Sequence, residues 1–416
     1  MTVEHVETLV IGAGQAGIAM SEHLTKQDQP HLVLERHRIA ERWRSERWDS
    51  LVANGPAWHD RFPNMTFPDT APGAFPPKES VADYFVAYAE QIGAPIRSGV
   101  AVTKLQKKAD GQGFRVETSA GVIEAKNVVS ATGPFQRPLI PTTVPAESGI
   151  MQIHSNQYRN PGQLPEGAVL VAGAGSSGSQ IADELNRAGR KVYLCVGPHH
   201  RPPRAYRGHD YCWWLGVLGL WDVEAREPGL EHVTIAVSGA RGGETVDFRH
   251  FAEEGITLLG RAQTFENGVM RFAPDLAKNI AGGDANYLYV LDAADAYAAR
   301  EGLDLPQEPE ARIMRPDPDC VTNPIASLGL AEAGVTSLIW ATGFALDYSW
   351  MEVDVFDAKG LPQHHKGVST VPGLYFLGLP WLSSRGSSFI WGCWRDAAYL
   401  AQHIAAHTPA SLPETV

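Results

Sequence analysis

Cysteine is scarce in this 416-residue chain. It has four, Cys195, Cys212, Cys320 and Cys393, and no two stand at C-x-x-C spacing. That excludes a dithiol redox centre and a cysteine-built zinc site, so buried thiols in a reducing cytoplasm are expected. Long apolar runs are missing as well. The most apolar short run, Tyr211 to Trp221 (YCWWLGVLGLW), is too short to span a bilayer. There is also no basic amphipathic helix of the kind that lies on a membrane, so no membrane partner is expected. Positive charge is in deficit: the formal net charge is -12, which argues against nucleic acid, a partner that wants a basic face. The first apolar strand begins almost at the N-terminus, leaving no room for a signal peptide, and the expected location is cytoplasmic.

What the chain does have is glycine in meaningful places. Thr8 to Ile11 form a short apolar strand, followed by Gly12, Gly14 and Gly17 at G-x-G-x-x-G spacing. The first glycine permits a tight turn and the second lets the backbone approach a pyrophosphate. The third lets the next helix, Gln15 to Lys26, pack on the strand. Bare amides at that helix start, around Gln15 and Ala16, attract phosphate charge. The strand His31 to Glu35 ends in a carboxylate placed to accept from an adenosine ribose. Arg36 to Asn54, carrying Arg36, Arg42, Trp43 and Trp48, is expected to lie over the cofactor. Gly55 to Pro77 reads as a long functional loop. Val81 to Ile92 has helical apolar spacing. Val100 to Leu105, which contains Val102, makes a small antiparallel sheet with Gly113 to Thr118 and Gly121 to Glu124. Asn127 to Gly133 is a separate strand ending in Ala131, Thr132 and Gly133.

Ala168 to Gly178 (AVLVAGAGSSG) repeats the theme with Gly173, Gly175, Ser176, Ser177 and Gly178, then a helix from Gln180 to Ala188 and a strand from Lys191 to Val196. The chain thus carries two dinucleotide cradles. At the step separating Gly17 from Glu35, counted on from Gly178, stands Val196 rather than an acid. His199, His200, Arg201, Arg204 and Arg207 follow. A missing acid and a basic cluster suit an adenosine 2′-phosphate, so His199, Arg201 and Arg204 are assigned to NADPH. Further on, a hairpin-like section near Gly242-Gly243 and a helix from Asn286 to Arg300 are expected. SLIWATG ends in Ala341, Thr342 and Gly343, echoing the earlier Ala-Thr-Gly. Both are read as points where the chain passes between nucleotide domains. Gly373 to Gly378 is a strand, and Gly378-Leu379 at its end is a cofactor-binding candidate. A loop Ser383 to Ser388 and a helix Phe389 to Ala406 close the chain. The fold class is α/β, with two Rossmann-like dinucleotide-binding domains. Residues 1–162 are the first dinucleotide domain, 163–335 the NADPH domain with an insertion, and 336–416 return to the first domain.

Together GAGQAG, GAGSSG, two ATG segments, ERWRSERWDSL, HSNQYRN, RAYRGHDYCWW and SSRGSSFIWGCWRDAAYLA resemble the class B flavin-containing monooxygenases. Within them the chain is similar to bacterial flavoproteins labelled as involved in K+ transport. The family's F-x-G-x-x-x-H-x-x-x-Y/F fingerprint is met at His154 and Tyr158 but not at Ser148 and Ile150. The resemblance implies FAD, NADPH and O2, a C4a-hydroperoxyflavin, and oxygen transfer to an amine nitrogen or sulfur of a small molecule. Baeyer–Villiger oxygenation of a ketone, or an NADPH oxidase or reductase without transfer, are the alternatives. It places Asn54 beside the reactive adduct as an amide donor; a plain Asn54-Gly55 turn is the bland alternative. The oligomeric state is left open, a homodimer included.

Overall fold

The computed structural model describes residues 3–224 and 234–407. Each glycine motif stands at the end of a central strand of its own sheet. The first unit runs β1 (Glu4–Ile11), α1 (Gln15–Lys26), β2 (His31–Glu35), α2 (Lys78–Gln91), β3 (Ile96–Ser98), β4 (Val102–Lys107), β5 (Phe114–Thr118) and β6 (Gly121–Ser130). The second runs β7 (Met151–His154), β8 (Ala168–Ala172), α3 (Ser176–Arg187), β9 (Val192–Cys195), α4 (Tyr211–Val217), β10 (Thr257–Leu259), α5 (Leu276–Glu301) and β11 (Val335–Trp340). The chain then returns to the first unit through β12 (Leu374–Phe376) and α6 (Ile390–His407).

In the first sheet the parallel order is β3-β2-β1-β6-β12, with Val10 opposite both Val33 and Val129. β1 becomes buried towards its C-terminal end, where the cradle begins. β6 is one ten-residue strand, not two. Its first half pairs antiparallel with β5, and its second half lies parallel to β12, so the meander β4-β5-β6 runs straight into the main sheet. In the second sheet the order is β10-β9-β8-β11-β7, all parallel. Every residue of β8 (AVLVA) is buried, as expected for a central parallel strand covered on both faces.

Because β7 and β11 pair with each other in this second sheet, its strands span residues 151–340, a wider stretch than 163–335. The chain changes sheets after each Ala-Thr-Gly. Ala131 N donates to Ile11 O and Ala341 N to Ala172 O, both at 2.9 Å, so each segment continues its sheet by one bond before leaving it.

Two expectations for the middle of the chain need correction. The segment near Gly242-Gly243 is a short 3-10 turn, Ala240–Gly242. The hairpin lies further on, Ala262–Glu266 with Val269–Phe272 about Asn267-Gly268, and Ser327–Gly329 adds a third strand. The long helix α5 begins ten residues before Asn286, because Gly282-Gly283 continues it rather than breaking it. Gly283 is buried there, and a Cβ on it would stand 2.4 Å from His199 Nε2. The glycine exists to admit that ring.

Candidate active site

The first cradle is built as a phosphate site should be. Gly12 has φ +107°, and a Cβ on it would lie 2.7 Å from Ala131 O. A Cβ on Gly17 would lie 1.8 Å from Gly12 O, so only glycine lets α1 sit this close to β1. At Gly14, by contrast, a Cβ would meet nothing within 4 Å. That side leaves room for a pyrophosphate to approach. The helix start has no side-chain cap and no acid in its first turn, which leaves its amide charge uncompensated. Glu35 accepts from Ala13 N and His37 N, both at 2.9 Å, and keeps lone pairs for ribose hydroxyls. Val100 N donates to Glu35 O, which brings the start of β4, with half-buried Val102, to the same end.

The segment after β2 folds over this cradle: Ala40 N donates to Ala13 O at 3.1 Å. Arg42 Nη1 is buried without a partner among the described residues, and burial holds its pKa below the ordinary guanidinium value. A phosphate would supply the missing acceptor. Arg36, next to Glu35, is exposed. Trp43 packs on the cores of both units, while Trp48 is buried in the second unit's core. From the return segment, Gly378 has φ +78°, and its Cβ would stand 2.8 Å from Ala16 Cβ; Leu379 beside it is buried. Gln15 Nε2 donates to Ser388 O at 2.8 Å, tying the loop before α6 to the cradle. Thr132 Oγ1 and Gly133 O both accept from Gln136 Nε2.

The second cradle repeats the packing. Gly173 has φ +109°, a Cβ on it would lie 2.5 Å from Ala341 O, and one on Gly178 would lie 1.8 Å from Gly173 O. α3 also starts with no side-chain cap and no first-turn acid. Its open side is narrower. Thr234 Cγ2 stands 3.0 Å from where Gly175 would carry a Cβ, and Ser176 Oγ donates to Ile235 O at 2.8 Å. Ser177 on the same turn is half-buried. Thr342 Oγ1 donates to Leu139 O, and Gly343 O is bonded by the His154 ring at 3.0 Å. His154 is fully buried at the end of β7 and its pKa is lowered by that burial.

The basic run after β9 does not present free charge for a 2′-phosphate, and that assignment is corrected. Arg201 is 4% exposed. Its Nε and Nη2 bond Asp284 Oδ1 at 3.0 and 2.5 Å, and its guanidinium lies over Tyr287. Arg204, also 4% exposed, bonds both oxygens of Asp210 and is sandwiched between Phe75 and Tyr211. Arg207 bonds Asp295. The His199 ring is buried against Phe248, with Nδ1 on Gly197 O. These cations hold the insertion together. Beside Gly197, at the end of β9, the exposed cation is Arg261, with its Nε on Asp275.

Arg204 has a second duty. Its Nη1 donates to Asn54 O at 2.7 Å, so a residue of the second unit holds the loop of the first. Gly55 N donates to Asp60 Oδ2 at 2.9 Å, and Asp60 Oδ1 pairs with His59 Nδ1 at 2.7 Å. The His59 ring lies 5.5 Å from the rings of both Trp221 and Trp391. Asn54 Oδ1 accepts from Gln180 Nε2 at 2.9 Å, and among the described residues nothing accepts from Asn54 Nδ2. Sequence reasoning missed Gln180, Arg261 and the His59-Asp60 pair. Only Gln180 carried a signal, its place two residues after Gly178. Among the described residues no group of three or more metal-binding side chains occurs, and no helix is long and apolar enough to cross a membrane.

Two dinucleotide cradles, with an amide held between the units by both, define a flavin-dependent oxidoreductase that works with FAD and NADPH. The family model described as pyridine nucleotide-disulphide oxidoreductase matches residues 9–212. The chain is 35% identical to an uncharacterized CzcO-like oxidoreductase of Geobacillus kaustophilus, over 97% of this chain and 99% of that one. Over 45% of this chain and 47% of the relative it is 30% identical to the indole-3-pyruvate monooxygenase YUCCA1 of Oryza sativa. The flavin-containing monooxygenase of Stenotrophomonas maltophilia superposes with a TM-score of 0.67 at 18% identity, covering 97% of this chain and 99% of that one. The chain belongs to the CzcO-like oxidoreductases.

Proposed function

We propose that this enzyme is a monooxygenase that transfers one atom of O2 to an amine nitrogen or sulfur of a small molecule, at the expense of NADPH. The observation that carries the reading is the Asn54 amide. It stands where the two units touch, with its main chain fixed by Arg204 and, through Gly55, by Asp60, while among the described residues its Nδ2 is left without an acceptor. Bound FAD supplies the electron relay from the nicotinamide to O2 and the activated oxygen.

The chain does the rest. Gly14 and the bare start of α1 take the FAD pyrophosphate, Glu35 the adenosine ribose, and Arg42 a phosphate oxygen. Gly175, Ser176 and the start of α3 take the NADPH pyrophosphate alongside Thr234. Asn54 Nδ2 donates to developing negative charge on oxygen without being able to protonate it fully, which suits a site where stray protons would release peroxide. The packed rings of His59, Trp221 and Trp391 keep water from the back of the Asn54-Gly55 turn.

Asn54→Ala tests this reading. NADPH-driven reduction of FAD should remain, while oxygen transfer should slow by roughly 10²-fold, as for loss of one oxyanion donor, so that more of the NADPH ends as H2O2 than as product. A variant as tightly coupled as the parent removes Asn54 from the reaction.

A further inference from the structure

Gln180 is one of the few buried amides in the chain, 9% exposed, and it lies on α3, the helix whose start forms the second cradle. Its Nε2 makes two bonds, to Val237 O at 2.7 Å and to Asn54 Oδ1 at 2.9 Å. The first is to a main-chain carbonyl, which only accepts. The nitrogen end of the Gln180 amide must therefore face Val237, whatever Asn54 does. Its second N–H then points at Asn54 and requires an acceptor there, so Asn54 presents Oδ1 to Gln180 and turns Nδ2 away. A reversed Asn54 would set two donors against each other in a buried place and would offer an oxygen lone pair to the reaction space.

From this we infer that Gln180 is the positioning residue that fixes the Asn54 amide with its donor towards the oxygen-transfer site. The inference rests on the reading of Asn54 given above and deepens it. The main chain and the side chain of Asn54 are held by different groups: Arg204 and Asp60 fix where the loop runs, and Gln180 fixes which way the amide faces. The helix that cradles the nicotinamide dinucleotide therefore also orients the amide at the oxygen site.

Gln180→Glu and Gln180→Ala, each alone and with Asn54→Ala, test it in the full-length enzyme. The carboxylate of Gln180→Glu keeps the shape and cannot donate, so Asn54 should reverse and bond it through Nδ2. In the FAD-free protein with nitrogen-labelled asparagine, the Asn54 side-chain amide protons should then move downfield in the NMR spectrum. In FAD-loaded enzyme with an amine or sulfide present, both single variants should slow oxygen transfer by up to roughly 10²-fold and raise H2O2 released per NADPH accordingly, with anaerobic reduction of FAD by NADPH kept. Adding Gln180→Ala to Asn54→Ala should change the peroxide share no further. Unmoved Asn54 amide protons in Gln180→Glu overturn the inference. So does tight coupling in both Gln180 variants while Asn54→Ala is uncoupled, or an added loss of full size in the double variant. If Asn54→Ala itself stays coupled, both the inference and the Asn54 reading fall.

Discussion

At the scale of single residues, five of the six motif glycines divide into two kinds. Gly12, Gly17, Gly173 and Gly178 are glycine because protein backbone occupies the place of a side chain. Gly14 faces open space at φ -83°, ψ -170°, so its reason is a ligand and not the fold. The distinction is testable. Gly14→Ala should cost the FAD-free fold at most about 1 kcal/mol, yet weaken FAD binding by roughly ten-fold or more. Gly17→Ala should lower stability by roughly 3 kcal/mol or more, because a Cβ meets backbone 1.8 Å away. Thermal melts and flavin titration of the two variants decide it; equal loss of stability in both would remove the ligand from the account of Gly14. The spacing of these glycines, and Glu35 beyond them, was readable in the sequence because the cradle is local. The fate of Arg201 was not. Its partner Asp284 lies 83 positions away, and a sequence shows the cation long before it shows the acid.

At the scale of elements, α5 carries the lesson that burial can override propensity. A glycine pair weakens a helix by up to about 1 kcal/mol per residue relative to alanine, which is why a helix start ahead of Gly282-Gly283 could not be read from the sequence. Gly282 is exposed with nothing near its Cβ position, whereas Gly283 is pressed on His199. Gly282→Ala should therefore stabilise by up to about 1 kcal/mol. Gly283→Ala should destabilise by about 1–2 kcal/mol, overpacking against the ring outweighing the gain in propensity. Denaturant midpoints of the two variants check this, and stabilisation by both would mean that the His199 contact is slack. β7 was illegible for a related reason. Met151–His154 is a short strand whose sheet partner among the described residues is β11, with Ser337 opposite Met151, so nothing local assigned it to the second sheet.

At the scale of the whole molecule, two of the polar contacts between the units meet on one residue: Arg204 on Asn54 O, and Gln180 on Asn54 Oδ1. The paired Rossmann plan was legible because the chain states it twice, in GAGQAG and GAGSSG. The meeting point was legible only as a resemblance, since it needs residues 54, 180, 204 and 237 side by side. The molecule as a whole also has a predicted response to acid. Burial lowers the pKa of His31, His154, His199, His200 and His364, and takes His23 to about 4. Between their unfolded value near 6.5 and these lower folded values, the unfolded chain binds protons that the folded chain refuses. Stability is thus fully present above pH 6.5 and falls as pH drops, His23 alone contributing on the order of 2 kcal/mol by pH 4. His23→Asn should flatten the fall of Tm over that window, and an unchanged slope would exclude His23 as a contributor.

The most direct test of the central claim is the destination of labelled oxygen. Turn the FAD-loaded enzyme over with NADPH, an amine or sulfide, and isotopically labelled O2, then weigh the product. One labelled atom in the product for each NADPH oxidised is the predicted result. Labelled peroxide with unlabelled or absent product would contradict it and leave an NADPH oxidase in its place.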